Sequence, residues 1–219
     1  MNVNRSTEDY IKAIYKLQRK HSKVITSALA AELRLANPSI TDMIQKLSRK
    51  GYVRYVPYQG VLLTEKGRHM ALKILRRHRL WEMYLVRFLK YSWDEVHDEA
   101  ERLEHVTSDE LEERLDNALG WPTRDPHGDP IPTKEGEVDV KEGVPLALCV
   151  PGSSARVCRV SDHNRKLLEQ AAQVGLILNR RVTVKENRRF DGSILVQVGS
   201  RQKYITQKVA NAVFVQPVK

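Results

Sequence analysis

The chain has 219 residues, 41% hydrophobic and 29% charged, a length suited to two or three domains and a balance suited to folded cores. Its formal net charge of +10 points to a polyanionic partner, because each neutralised phosphate releases condensed counterions. No stretch approaches the run of about 20 apolar residues that spans a bilayer, and the N-terminus passes into a helical pattern without an apolar signal core, so a cytoplasmic protein is expected.

Tyr10, Ile11, Ile14 and Leu17 share one face of residues 7–20, which predicts an amphipathic helix capped by Ser6 or Thr7. Thr26 is expected to cap a second, short helix through Leu33, followed by a turn at Arg34–Ala36. Asn37-Pro38-Ser39 opens a third, with Asn37 as N-cap, Pro38 at the first helical position and Gly51 beyond its end. Its apolar stripe is Ile40, Met43, Ile44 and Leu47. Tyr52–Val56 and Val61–Leu63, either side of a turn at Tyr58-Gln59-Gly60, predict a short hairpin. Three helices and a hairpin in this order spell a winged helix-turn-helix over residues 1–72.

A long amphipathic helix is expected from Thr64 to about Lys90, a second over about Ser92–His105, and a third from Thr107 or Ser108 to near Gly120. Pro122, Pro126, Pro130 and Pro132 mark 121–136 as a linker that closes a helical domain over 73–136. From about Lys141 the pattern changes to short alternating stretches at 156–160, 181–185, 194–198 and 212–215, interrupted by one helix near 164–173. A small β-barrel over 141–219 follows. Cys149 and Cys158 lie in this apolar part without CxxC spacing, as reduced structural thiols. The fold class is mainly α with small β parts.

In a helix-turn-helix the second helix of the motif presents its N-terminal residues to base edges. Here Pro38, Ser39 and Asp42 take that position, and Asp42 could accept from a cytosine amino group. Thr26, Ser27, Thr41, Lys46 and Arg49 are placed for the phosphate backbone, with Arg54 reaching from the wing. A protein-binding winged helix with solvated surface charges is the alternative.

His78 and Glu82 stand four apart on the long helix, as do His97 and Glu101 on the next, with Glu104 and His105 following. Such faces could close one or two metal sites, although the second stretch also fits a solvated acidic face. No HExxH, nucleophile elbow or phosphate loop supports catalysis.

The segments Arg77–Glu82 and Val96–His105, with Thr7-Glu8-Asp9-Tyr10 and Gly128-Asp129-Pro130-Ile131-Pro132, closely resemble the diphtheria toxin repressor family of metalloregulators over nearly the whole chain. The resemblance implies a winged helix, dimerisation helices and a C-terminal SH3-like (FeoA-like) barrel. It also implies two metal sites per subunit. One would use His78, Glu82 and His97, completed from the barrel by Asp162 or Asn164; the other would use Asp9, Glu101, Glu104 and His105. Iron-responsive relatives carry methionine and cysteine where Asp9 and Glu101 stand, so the carboxylates here are similar to the manganese-responsive branch and suit Mn²⁺, with Fe²⁺ as the alternative. Lys12 stands where small manganese regulators carry a carboxylate for a closely spaced metal pair, which implies two separated sites.

The expected protein is a metal-dependent repressor that binds a pseudo-palindromic operator as a homodimer and controls metal-uptake genes. Leu80, Leu85, Val86, Phe88 and Leu89 are expected at the dimer interface. Two other classes stay open: a winged-helix regulator with a non-metal effector, and a metalloenzyme with a DNA-binding appendage.

Overall fold

The structure is a computed structural model that describes residues 4–21, 23–56, 59–139, 143–162, 164–188 and 190–218. The chain forms two compact units. The first comprises Met1–Arg79, Glu101–Arg114 and Pro132–Val138, and the second Leu80–Ala100, Leu115–Ile131 and Asp139–Lys219.

The first unit opens with α1 (Arg5–Gln18), α2 (Thr26–Leu33) and α3 (Asn37–Arg49), then the hairpin β1 (Val53–Val56) and β2 (Gly60–Leu63). Asn4, rather than Ser6 or Thr7, caps α1 by accepting from the Ser6 amide, so the helix starts earlier than its apolar stripe suggests. Neither α2 nor α3 has a side-chain cap: Thr26 and Asn37 are already helical, and Ile25 and Ala36 occupy the cap positions. Arg34 at φ +55° ends α2 and turns the chain into α3. The predicted stripes do meet: Ile11, Ile14, Leu29, Ile40, Ile44 and Leu47 are fully buried in one cluster. Each contributes about 1.5–3 kcal/mol relative to exposure.

The hairpin pairs Val53 with Leu63 and Val56 with Gly60, and the Val61 amide donates to Val24 O at 2.9 Å. At Gly60, with φ +106°, a Cβ would lie 2.8 Å from that same carbonyl, so only glycine lets the wing approach. Tyr58 of the predicted turn lies outside the described residues.

After the wing come α4 (Glu65–Arg87), α5 (Val96–Leu103) and α6 (Asp109–Leu119). Thr64 Oγ1 accepts from the Gly67 amide and starts α4. Both α4 and α5 stop short of expectation: α4 gives way to Lys90 at φ +61°, and Glu104 and His105 fall in the turn after α5. Within the first unit, Glu112 of α6 accepts from both Arg76 Nε (3.0 Å) and Arg77 Nε (2.8 Å) of α4. These charges are buried but doubly paired, which offsets their desolvation.

The second unit carries β3 (Val144–Pro145), β4 (Ser154–Val160), α7 (Arg165–Val174), β5 (Arg181–Asn187), β6 (Ile194–Val198), β7 (Arg201–Ile205), α8 (Gln207–Ala212) and β8 (Val213–Pro217). The strands form one antiparallel sheet in the order β3-β8-β4-β5-β6-β7. Alternate residues Val157, Val182, Val184, Val196, Val213 and Val215 turn inward onto Leu146, Leu168 and Leu176. The sheet carries two helices rather than the one expected: α8 packs Val209 and Ala210 into the same core.

The expected linker is also corrected in part. Over 121–131 the chain makes a tight turn closed by an Arg124–Pro130 bridge and an Asp125 amide donating to Asp129 O at 2.9 Å, with Asp125, His127 and Asp129 all buried. No helix among the described residues is long and apolar enough to cross a membrane.

Candidate metal centre

Within each unit, taken by itself, one cluster of carboxylates and imidazoles stands out. In the first, single ligand-type atoms of Asp9, Glu101, Glu104 and His105 lie within 4.8 Å of one another. Asp9 comes from α1, Glu101 from the last turn of α5, and the other two from the turn beyond it. Glu104 is fully buried. His105 Nδ1–H donates to Glu8 Oε2 at 2.6 Å, which leaves Nε2 as the inward nitrogen. That nitrogen lies 3.0 Å from Asp9 Oδ1 and 3.3 Å from Glu104 Oε1 yet makes a directed hydrogen bond to neither. A buried imidazole nitrogen aimed at carboxylate oxygens is an arrangement that a shared cation satisfies.

Two further groups hold this cluster. The ammonium of Lys12, itself buried, donates to Glu101 Oε1 at 2.7 Å and to Glu104 Oε1. His78 Nδ1–H donates to Glu104 Oε2 at 2.6 Å and lies 3.5 Å from Glu101 Oε2. His78 of α4 thus braces Glu104 within the first unit. Burial works to raise the Glu101 pKa, but Lys12 and then His78 outweigh it and hold the group down at about 2. For His105, burial favours the neutral ring, and the carboxylates of Asp9 and Glu8 outweigh it, lifting the pKa to about 9. Any cation bound here would compete with that proton.

In the second unit the atoms that converge within 4.8 Å belong to Glu82 on α4, His127 in the 121–131 turn and Asp162 just after β4. His97 Nδ1 is 3.3 Å from Glu82 Oε1 and 3.9 Å from Asp162 Oδ2. His127 escaped sequence reasoning because it lies in a proline-rich stretch without periodicity. Its Nε2–H donates to Trp93 O at 2.6 Å, its ring stacks on Trp93, and its carbonyl accepts from the Val160 amide at 2.8 Å. The remaining nitrogen, Nδ1, is buried without a hydrogen-bond partner, 3.8 Å from Glu82 Oε2. Burial opposes protonation of this ring, but Glu82, then Asp125 and Asp162, raise its pKa to about 10. Asn164, the other candidate from the barrel, caps α7, its side chain accepting from the Leu167 amide.

The donor sets are oxygen and imidazole nitrogen throughout, and both present an inward nitrogen fixed by its opposite ring edge. The residues therefore fit a hard or borderline divalent ion.

Of the residues expected to face DNA, Ser27, Pro38, Ser39, Asp42, Lys46, Arg49 and Arg54 are exposed, while Thr26 and Thr41 are half-buried. Thr41 Oγ1 donates to Asn37 O at 3.2 Å.

Fold and clusters together define a winged-helix DNA-binding protein with a regulatory metal centre. Comparison with known proteins agrees. Residues 2–61 match the iron dependent repressor N-terminal DNA binding domain, 64–133 the iron dependent repressor metal binding and dimerisation domain, and 144–217 the FeoA domain. The chain is 32% identical to the iron-dependent repressor IdeR of Mycobacterium tuberculosis, over 97% of each chain. It is 35% identical to the diphtheria toxin repressor of Corynebacterium diphtheriae, over 58% of this chain and 56% of that one. Among solved structures, a manganese-dependent transcriptional repressor in complex with manganese superimposes with a TM-score of 0.90 at 39% identity, covering 97% of this chain and 100% of that chain. The manganese regulator SloR gives 0.79 at 32% identity, covering 97% and 98%. The chain belongs to the iron-dependent repressor family of metal-dependent transcriptional repressors.

Proposed function

We propose that this repressor binds operator DNA as a homodimer when loaded with Mn²⁺, Fe²⁺ being the alternative, and silences metal-uptake genes in the cytoplasm. The observation that carries the metal reading is the inward Nε2 of His105, set among the oxygens of Asp9, Glu101 and Glu104 with no sulfur donor in the group. Oxygen-rich shells suit Mn²⁺, although the Irving–Williams order favours later metals, so selectivity rests on coordination number and availability. The similar structure described as manganese-dependent and bound to manganese supports the same choice.

Two separated sites fit the residues. Asp9, Glu101, Glu104 and His105 form one; Glu82, His97, His127 and Asp162 form the other, with His78 buttressing Glu104. A tight metal pair at the first site is disfavoured because the Lys12 ammonium already occupies the shared side of Glu101 and Glu104.

A bound cation supplies positive charge that allows clustered carboxylates to share one volume. Asp9 and Glu8 lie on α1, the first helix of the DNA-binding fold, so closing this cluster fixes α1 against the α5 end. The metal-loaded conformation then needs only a differential affinity to bind operator better. Pro38, Ser39 and Asp42 would face bases, and Thr26, Ser27, Thr41, Lys46 and Arg49 the backbone. Leu80 and Leu85 of the expected dimer surface are spent in the chain's own core; Phe88 and Leu89 remain exposed for it.

The deciding experiment is operator affinity, on duplexes selected from a random library, titrated with Mn²⁺, Fe²⁺ under anaerobic conditions, Co²⁺ and Zn²⁺. Tightening with Mn²⁺ supports the reading. Equal affinity with and without every metal overturns it and favours a different effector.

A further inference from the structure

Glu8 is not among the atoms that converge in the first cluster, yet it makes one of the shortest contacts to it. Its Oε2 accepts from His105 Nδ1–H at 2.6 Å, while Asp9 Oδ1 lies 3.0 Å from Nε2 on the opposite side of the same ring. The His105 side chain is 4% exposed and that of Glu8 14%, so the contact is sheltered from solvent competition. Consecutive helix residues do not normally face one another. Here two successive residues near the start of α1 flank one imidazole, Glu8 accepting from its outer nitrogen and Asp9 lying 3.0 Å from its inner one.

The chemistry of that outer contact is specific. An imidazole presents a lone pair at Nε2 only when its mobile proton sits on Nδ1. A charged acceptor at Nδ1 selects that tautomer, fixes the ring plane and raises the basicity of the other nitrogen. We propose that Glu8 is a positioning residue for the first metal site: it locks His105 in the Nδ1–H form, with Nε2 directed at Asp9 and Glu104. The inference rests on the metal-site reading above and extends it to a residue outside the ligand group. Glu8 also makes the imidazole's orientation depend on α1, so the sensing site and the DNA-binding helix bundle share this contact.

The test uses the full chain as wild type, Glu8→Gln and Glu8→Ala, with Glu104→Gln as the variant that removes a proposed ligand. Mn²⁺ affinity is measured by competition with a chelator, and the His105 tautomer by ¹⁵N NMR on metal-free protein, with the pH raised until the ring signals report the neutral form. Expected are a Mn²⁺ affinity lower by about 10–100-fold in Glu8→Ala and a mixed tautomer population. Glu8→Gln, whose amide oxygen accepts without charge, should fall between Glu8→Ala and wild type in both readouts. Metal affinities within twofold of wild type in both variants, with the Nδ1–H tautomer retained, overturn the role of Glu8. Wild type that keeps the tautomer but binds no Mn²⁺, matching Glu104→Gln, overturns the metal reading instead and leaves the tautomer lock supported.

Discussion

The two clusters reach similar donor sets by opposite means. In the first unit the groups are held by side chains: Lys12 bridges Glu101 and Glu104, His78 braces Glu104, and Glu8 braces His105. In the second, His127 is held by backbone, through the Trp93 carbonyl at its ring and the Val160 amide at its own carbonyl. Side-chain ion pairs rearrange when a new charge arrives, whereas a turn pinned to a sheet does not. On the metal-site reading proposed above, the first cluster has the makings of a switch and the second those of a fastener, in which Glu82 of α4 and Asp162 beyond β4 converge on His127.

The largest effect should separate these roles. Glu104→Gln removes an oxygen shared by the first cluster and its braces; operator affinity at saturating Mn²⁺ should fall by the whole metal coupling, about 5–150-fold, measured by fluorescence anisotropy. His127→Ala should lower the metal count from two to one per chain in equilibrium dialysis while costing less operator affinity than Glu104→Gln. The reverse order would make the second cluster the switch.

A pH experiment sharpens the same contrast. The folded pKa values of His105 and His127, about 9 and about 10, both exceed the ordinary 6.5. Their protonation therefore stabilises the metal-free fold fully below pH 6.5, and that stability is lost as pH rises through 9 and 10. The urea midpoint of the metal-free protein should decline over this window, and that of the Mn²⁺-loaded protein should stay flat. The smallest effect belongs to Asn164→Ala, which should cost about 1 kcal/mol as a lost N-cap and leave metal stoichiometry unchanged. A lost metal would return Asn164 to the ligand shell.

Much of the first cluster was legible, because Glu101, Glu104 and His105 keep helical spacing and Asp9 sits in a family-like segment. The winged helix was legible for the same reason: its stripes are regular and its core is built from them. His127 was not, since an imidazole among prolines has no periodic companions. Its local signal was chemical instead, the run Asp125-Pro126-His127-Gly128-Asp129 inside a supposed linker. In the sheet, β7 shows no alternation because four of its five residues are exposed, and the six residues of α8 are too few for a helical period.

Gly128 sets a limit on how the chain can vary. It sits beside His127 with φ +89°, and a Cβ there would fall 2.2 Å from the Cys158 carbonyl. A single methyl group would therefore push the turn off β4 and carry the imidazole with it. In evolutionary terms, the solvent-facing residues of this turn can drift. Its glycine is a condition for the histidine next to it: the histidine can be replaced alone, but the glycine cannot be replaced without displacing the histidine.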